Sequence, residues 1–387
     1  MKSALKIAFL TSSDPKDRNS WSGIYFQMLK SLESQFTDVI PLGPVEMNKR
    51  RLWLVNFRNL VSAIFLRQRY NVIHNNLFAR YYAAAFKKKL KGGNFDMIFA
   101  PASSVEIAFL KTDIPICYFS DTSFSQIRNY YGLFSNLSES SAKESEAIQY
   151  KALKKSAIVI HASNWASYYV TEHYGIDQTK AYTLPMGANI DEAPDLKMLA
   201  LKLNDKTTCN LLFLGVEWER KGGAIAFEAL VELNKLGLDA NLTICGCTPP
   251  EGFDHPKMKV IPFLDKSIAA DYNQFLELLY KTHFLLLPTR AECAGVVFAE
   301  ASAFGIPSIT TDTGGVASMV ENDVNGYRLP YNAGGNMYAG LIKAIFENDE
   351  GYKKLVYSSR AKYGNELNWE TWGIKVKELI LKNHKDS

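Results

Sequence analysis

The sequence predicts an α/β fold in which two doubly wound domains follow one another along the chain. Three observations support this expectation. A chain of 387 residues is too long for a single ordinary core. Short apolar runs alternate with helix-periodic segments, which is typical of a parallel sheet with helices on both faces. The alternation stops in the polar stretch 191–207, which we interpret as a linker, and then starts again.

The N-terminal domain is predicted over residues 1–190. Its first strand is LKIAFLTS; we interpret it as a strand and not as a signal peptide, because the apolar run is short and soon turns polar. The periodic segments GIYFQMLKSLES and WASYYVTEHYG predict helices. Further strands are predicted at 95–102, 114–121, 156–163 and 181–188.

The C-terminal domain is predicted over residues 208–367, followed by a final helix over 368–387. Strands are predicted at 209–215, 240–246, 259–264, 282–289 and 306–312, with helices at 268–281 and 296–304. In open α/β sheets, ligands bind outside the carboxyl ends of the strands. The loops expected to carry function therefore follow Ser12, Asp121, Gly215, Thr289 and Asp312.

Composition excludes several classes of protein. The chain is 47% apolar, 22% charged and 12% aromatic, which is typical of globular proteins. A net charge of +4 is too small to indicate nucleic-acid binding. The five cysteines show no zinc-site spacing, so we expect reduced thiols and a reducing, cytoplasmic compartment. No membrane-spanning helix is predicted, because no apolar run is long enough.

Two glutamates stand eight positions apart in AECAGVVFAE, residues 291–300. The segment follows a predicted strand, so we expect Glu292 in a loop and Glu300 about one turn inside a helix that starts near Gly295. The first N–H groups of that helix, around Val296 and Val297, form a ready anion site. Carboxylates on either side of a bound phosphate suit the hydroxyls of a sugar and a ribose, the combination found in a nucleotide sugar. The alternative is a solvated loop acid and a charge that stabilises a helix N-terminus.

The segment GVEWERKGG follows the strand that ends at Gly215 and opens a helix. Its Arg220 and Lys221 are placed to stabilise the charge of a departing diphosphate, because fixed cations act best where negative charge develops. The alternative is a solvated basic pair, although cations at a helix start oppose its dipole.

Three residues of the N-terminal half are weaker candidates. Gly23, in NSWSGIYFQMLK, permits close approach of the backbone to a diphosphate, or it is an ordinary turn before a helix. Asp121 follows a strand and either accepts a hydrogen bond from a substrate hydroxyl or caps a helix. His161 ends a strand and either faces the ligand or is a hydrogen-bonded core histidine.

The run ECAGVVFAEASAFGIP resembles the E-x7-E segment of the family-4 retaining glycosyltransferases. These enzymes have the GT-B fold, in which two Rossmann-like domains face each other across a cleft. Resemblance continues, in the family's order, in WSGI, SNWASYYVTEHYG, LLFLGVEWERKGG and TGGVASMVENDVNGYRLP. The chain departs from the pattern at Val216, where many members have arginine, and at Ser318, where many have glutamate. It also has the single Gly23 where members often have two glycines.

The resemblance implies a role for each matching residue. Catalysis would rest on Glu292, Arg220, Lys221 and Asp121, the last in a loop where many members have a histidine. The residues implied to bind the donor are Gly23, Gly215, Arg220, Lys221, Glu292, Gly295, Val296, Val297 and Glu300. Because basic residues replace a metal in this family, we expect no metal and no other cofactor. The final helix would cross back onto the N-terminal domain.

The implied function is transfer of a sugar, with retention of configuration, from a nucleotide diphosphate sugar. The acceptor would be a glycan, a lipid-linked molecule or a small molecule, as in polysaccharide or glycolipid biosynthesis. Two alternatives stay open: a nucleotide-sugar epimerase of the same fold, and a protein that binds the nucleotide sugar without catalysis. A nicotinamide dehydrogenase is disfavoured, because no G-x-G-x-x-G follows the first strand.

A basic and apolar stretch covers residues 49–70, and KKKLKGG at 87–93 adds further positive charge. Its helical periodicity places Trp53, Phe57, Val61 and Ile64 on one side. One interpretation is a surface for peripheral contact with the inner face of an anionic membrane. The other is a helix whose apolar side faces the core and whose basic side is solvated.

Overall fold

The computed structural model describes residues 2–204 and 206–385, which form two compact units. The first unit contains the chain up to Leu184 and the segment that starts at Trp372. The second unit is Pro185–Thr371. The predicted domain limits at Met1 and Ser387, and Asp205 of the predicted linker, lie outside the described residues.

The first unit contains a six-stranded parallel sheet with the strand order β2-β1-β3-β4-β5-β6. Its strands are β1 Ser3–Phe9, β2 Phe36–Pro41, β3 Met97–Pro101, β4 Ile116–Ser120, β5 Ile158–His161 and β6 Ala181–Thr183. Its helices are α1 Ile24–Gln35, α2 Lys49–Leu66, α3 Asn76–Leu90, α4 Ser104–Ile107, α5 Phe124–Ile127, α6 Glu139–Lys155 and α7 Asn164–Tyr174. The central strands β3, β4 and β5 are buried along their whole length, as the continuous apolar runs require.

The second unit contains another six-stranded parallel sheet, with the strand order β12-β11-β10-β7-β8-β9. Its strands are β7 Cys209–Leu214, β8 Ala240–Cys245, β9 Met258–Ile261, β10 Phe284–Leu287, β11 Ser308–Thr311 and β12 Gly326–Leu329. Its helices are α8 Leu196–Asn204, α9 Trp218–Lys221, α10 Gly223–Lys235, α11 Ala269–Lys281, α12 Val296–Ala303, α13 Gly335–Glu347 and α14 Asp349–Asn365. The predicted fold class, two doubly wound parallel α/β domains, is confirmed.

The structure adds several elements that the sequence patterns do not predict. Among them are helices α3, α6, α13 and α14, two edge strands and a helix in the linker stretch. Strands β2 and β12 each form one edge of a sheet, and FTDVIP and GYRL mix polar with apolar residues because an edge strand is only partly buried. Helix α8 lies within the stretch predicted as a linker.

The last helix, α15 Trp369–Lys385, contributes to the core of the first unit from Trp372 onward. The Trp372 ring is 1% exposed and packs edge-on against Phe99 and Phe119, with ring centroids 5.7 Å and 5.6 Å away. Gly373 lets this helix approach α1 closely, because a Cβ atom there would lie 2.3 Å from the Ser31 hydroxyl. Across the described ranges, no helix is both long and apolar enough to cross a bilayer.

Candidate active site at the carboxyl edge of the second sheet

The loop after β7 and the loop after β10 touch through their backbones. Gly222 ends the one-turn helix α9 with a left-handed φ of 76°. A Cβ atom there would lie 2.0 Å from the carbonyl oxygen of Pro288, so only glycine permits this approach. The N–H of Arg290 donates to the carbonyl of Arg220 over 2.7 Å, and the Arg220 Nη1 donates to the carbonyl of Ala291 over 3.0 Å. The two loops therefore form one rigid structure.

This structure brings three predicted catalytic residues together. Lys221 Nζ donates to Glu292 Oε2, and Arg220 Nη1 lies 3.8 Å from the same oxygen. Lys221 and Glu292 are both buried. Gly215 makes room for the lysine, because a Cβ atom there would lie 2.9 Å from Lys221 Cγ. Two cations thus converge on one carboxylate at the carboxyl ends of the strands, where open α/β sheets bind ligands.

Arg220 also makes a second ion pair. Its Nη2 donates to Glu217 Oε1 over 2.9 Å. This hydrogen bond lowers the pKa of the Glu217 carboxyl below its ordinary value. The paired carboxylates hold the guanidinium in one orientation, which leaves its position fixed before any ligand arrives.

Glu300 lies in α12, one turn from its start, as the sequence predicts, and only 2% of it is exposed. The Nζ of Lys266 pairs with its Oε1 at 2.6 Å and also lies 4.0 Å from the centroid of the Phe275 ring. Sequence reasoning missed Lys266. It lies in the loop between β9 and α11. Its position after a predicted strand is the one sequence feature that could have indicated a site residue.

The start of α12 is the predicted anion site. Gly295 precedes the helix with a φ of 85°, and a Cβ atom there would lie 2.7 Å from the Phe298 ring. Val296 and Val297 begin the helix, where backbone N–H groups have no partner within the helix. The N–H of Gly315, in the loop after β11, donates to the Glu292 carbonyl over 3.0 Å. A third loop therefore joins the two already described.

Two predicted site residues, Gly23 and Asp121, lie in the first unit. Gly23 precedes α1 with a φ of 83°, and it follows Trp21 and Ser22, whose φ angles of 47° and 55° are also left-handed. Such a conformation is strained for a tryptophan, and strained backbone is concentrated at functional sites. Asp121 follows β4, but helix α5 is capped by Ser123, which removes the predicted alternative that Asp121 caps it.

His161 ends β5 and is completely buried beside the Tyr118 ring. Burial lowers the pKa of its imidazole to about 3, so the ring is neutral near pH 7. Within the part of the chain that the structure describes, neither ring nitrogen has a hydrogen-bond partner. The prediction of a core histidine therefore holds for its burial, while the expected hydrogen bonds are not found.

Parts of the chain resemble known proteins in sequence. Residues 202–362 match the family model described as glycosyl transferases group 1. The glycogen synthase of Mycobacterium tuberculosis is 25% identical over 179 residues, which are 44% of this chain and 42% of that protein. The match thus spans less than half the length of this curated relative.

Solved structures resemble the whole chain. A glycosyltransferase from Rickettsia africae superposes with a TM-score of 0.66 at 15% identity, covering 100% of both chains. Anabaena HepE, solved with UDP and glucose, superposes with a TM-score of 0.66 at 15% identity, covering 98% of this chain and 100% of that one. The fold of the chain is therefore GT-B, as the sequence predicts.

Proposed function

We propose that this chain is a retaining glycosyltransferase that moves a sugar from a nucleoside diphosphate sugar to an acceptor hydroxyl. The acceptor is a glycan or a lipid-linked or small molecule, and no metal takes part. The family match over residues 202–362 supports the class of enzyme.

The observation that carries the proposal is the convergence of Arg220 and Lys221 on Glu292. A buried ion pair of this kind is poor evidence for stability, because desolvation offsets most of the Coulomb attraction. It is a good arrangement for binding a donor. The sugar's hydroxyls donate to the Glu292 carboxylate. The diphosphate then pairs with Arg220 and Lys221, which the carboxylate has held in position.

The proposed reaction breaks the bond between the anomeric carbon and the diphosphate oxygen. Arg220, Lys221 and the first N–H groups of α12 stabilise the charge that develops on the leaving diphosphate. The acceptor oxygen forms its bond to the anomeric carbon on the same face, and its proton passes to the diphosphate. Glu292 orients the donor sugar and Glu300 binds the ribose. No enzyme nucleophile is required.

The test is a donor screen. Purified protein is incubated with a panel of nucleoside diphosphate sugars in the presence of EDTA, and release of free nucleoside diphosphate is followed. Release from one donor supports the proposal and identifies that donor. Thermal stabilisation by a nucleoside diphosphate without release, even with acceptors added, would instead support a binding protein. The absence of both release and stabilisation would contradict the proposal.

Isosteric variants then test the residue roles. We expect Glu292→Gln to lower kcat roughly 100-fold or more, the range seen when a group that stabilises a transition state is removed. We expect Glu300→Gln mainly to raise KM for the donor. Glu251→Gln is the matched control, because Glu251 is exposed in the same unit. Near-normal turnover by both site variants at saturating donor would refute these roles.

A further inference from the structure

Helix α2 packs against the rest of the first unit through only a narrow part of its surface. Of its 18 residues only Val55 and Ser62 are buried. At 100° of turn per residue, Trp53, Phe57, Leu60 and Ile64 all lie within about 40° of the side opposite Val55. The apolar face of this amphipathic helix therefore points away from the core, and the alternative of a core-facing helix is wrong.

The exposed face is large and built from bulky side chains. Trp53 and Ile64 are each 62% exposed and Phe65 is 77% exposed. The rings of Trp53 and Phe57 stack on each other with centroids 5.4 Å apart. The exposed large apolar residues of the helix are Leu52, Trp53, Leu54, Phe57, Leu60, Val61, Ile64, Phe65 and Leu66. A contiguous apolar surface of this kind marks an interaction site.

The sequence segment that contains this face carries charge of one sign. From Met47 to Phe95 the sequence contains eleven lysines and arginines and no aspartate or glutamate. Outside this segment, 33 basic residues stand against 40 acidic ones, a net charge of −7. Lys49 and Arg50 are exposed and flank the apolar stripe on either side. The net positive charge of the protein is therefore carried by the segment that contains α2 and α3.

We propose that α2 docks on the surface of an anionic lipid bilayer, lying parallel to it. The stripe of Trp53, Phe57, Leu60 and Ile64 enters the boundary between head groups and acyl chains, and the flanking cations meet lipid phosphates. A second copy of the chain fits this face poorly, because the stripe is flanked by Lys49 and Arg50 and would meet a copy that carries the same flanking cations. The inference rests on α2 and its charge, and it is independent of the proposed transfer reaction.

The test is sedimentation of the full chain with vesicles. We expect binding to vesicles of phosphatidylcholine mixed with phosphatidylglycerol, little binding to phosphatidylcholine alone, and weaker binding as salt is raised. The variant Trp53→Gln/Phe57→Gln/Ile64→Gln should bind at least about tenfold more weakly, because the loss of even one such apolar side chain from the bilayer has roughly this effect. The variant Lys49→Gln/Arg50→Gln should lose about 25-fold, at roughly fivefold for each cation.

The matched control is Leu236→Gln/Met337→Gln/Tyr357→Gln, which removes three exposed apolar residues from the second unit. It should bind vesicles as the wild type does. All five positions changed on α2 are exposed, so a normal circular dichroism spectrum is expected for each variant. Failure of the wild type to bind anionic vesicles would overturn the proposal, as would equal binding by the apolar triple variant. A dimer in light scattering that the triple variant abolishes, without vesicle binding, would identify a self-association surface instead.

Discussion

Replacing Lys266 with methionine should destabilise the second unit. The substitution keeps the apolar stem of the side chain and removes the cation that lies 2.6 Å from Glu300. Glu300 is 2% exposed, so water does not replace the lost partner. Among the described residues, Lys266 is the one cation within ion-pair distance of this carboxylate.

The structure sets the size of the effect. Removing one partner from a buried ion pair costs about 3–5 kcal/mol, because the remaining charge is left uncompensated. The side chain of Lys266 is itself 28% exposed, which screens part of the interaction, so we expect about 2–3 kcal/mol. For a unit of this size, each kcal/mol corresponds to roughly 2–4 °C in Tm. The expected decrease in Tm is therefore about 4–12 °C.

The assay is thermal unfolding of Lys266→Met, Glu300→Gln and the double variant. The double variant should unfold no lower than Lys266→Met alone, because the neutral glutamine removes the uncompensated charge. Lys281→Met is the control: its side chain is 77% exposed, and it should change the free energy of unfolding by less than about 0.5 kcal/mol. A wild-type Tm for Lys266→Met, or additive losses in the double variant, would refute this reasoning.

Three further predictions concern stability. Gly222→Ala should lower the free energy of unfolding by about 3 kcal/mol or more, because its Cβ atom would lie 2.0 Å from the Pro288 carbonyl oxygen. Gly237 has a similar φ of 82° but open space around it, so Gly237→Ala is the control. Chemical denaturation should show a loss nearer 1 kcal/mol for this control. His161 is buried with its pKa at about 3. As the pH falls below about 6.5, the unfolded chain binds a proton that the folded chain does not, so stability falls by up to about 1.4 kcal/mol per pH unit. The measurement is the difference in unfolding free energy between wild type and His161→Gln as a function of pH. This difference should be constant above about pH 6.5 and should change with this slope at lower pH. A difference that stays constant at all pH values would contradict the burial of a neutral imidazole. Trp372→Ala should lower the stability of the first unit by about 3–5 kcal/mol in the same assay, and a loss under 1 kcal/mol would contradict the packing described.

Much of the fold could be predicted because its strands are buried on both faces. FLLL in β10 and IVI at the start of β5 are continuous apolar runs, which are typical of central strands buried on both faces of a parallel sheet. The edge strands could not be predicted, because one side of such a strand meets no neighbour and its composition is free to be polar. The exposed face of α2 could not be predicted either, because periodicity fixes which residues share a side and not which way that side points.

The parts of the candidate site that could be predicted are those whose position depends only on neighbouring residues in the sequence. Glu292 before α12 and Glu300 one turn inside it follow from where a strand ends and a helix begins. The pairing of Lys266 with Glu300 joins residues from different loops, and spacing along the chain contains no information on such contacts. The same holds for Lys221 and Glu292, whose ion pair only the structure reveals.

The position of Trp372 has a consequence for synthesis on the ribosome. The first unit needs this side chain against Phe99 and Phe119, yet the ribosome adds it only after the whole of Pro185–Thr371 has been made. At 5–20 residues per second, that interval is roughly 10–40 s. During it the nascent first unit exposes the apolar surface that Trp372 later covers. Chaperones that bind exposed apolar surface therefore have a defined period in which to hold the first unit, and its folding can finish only after the second unit has left the ribosome.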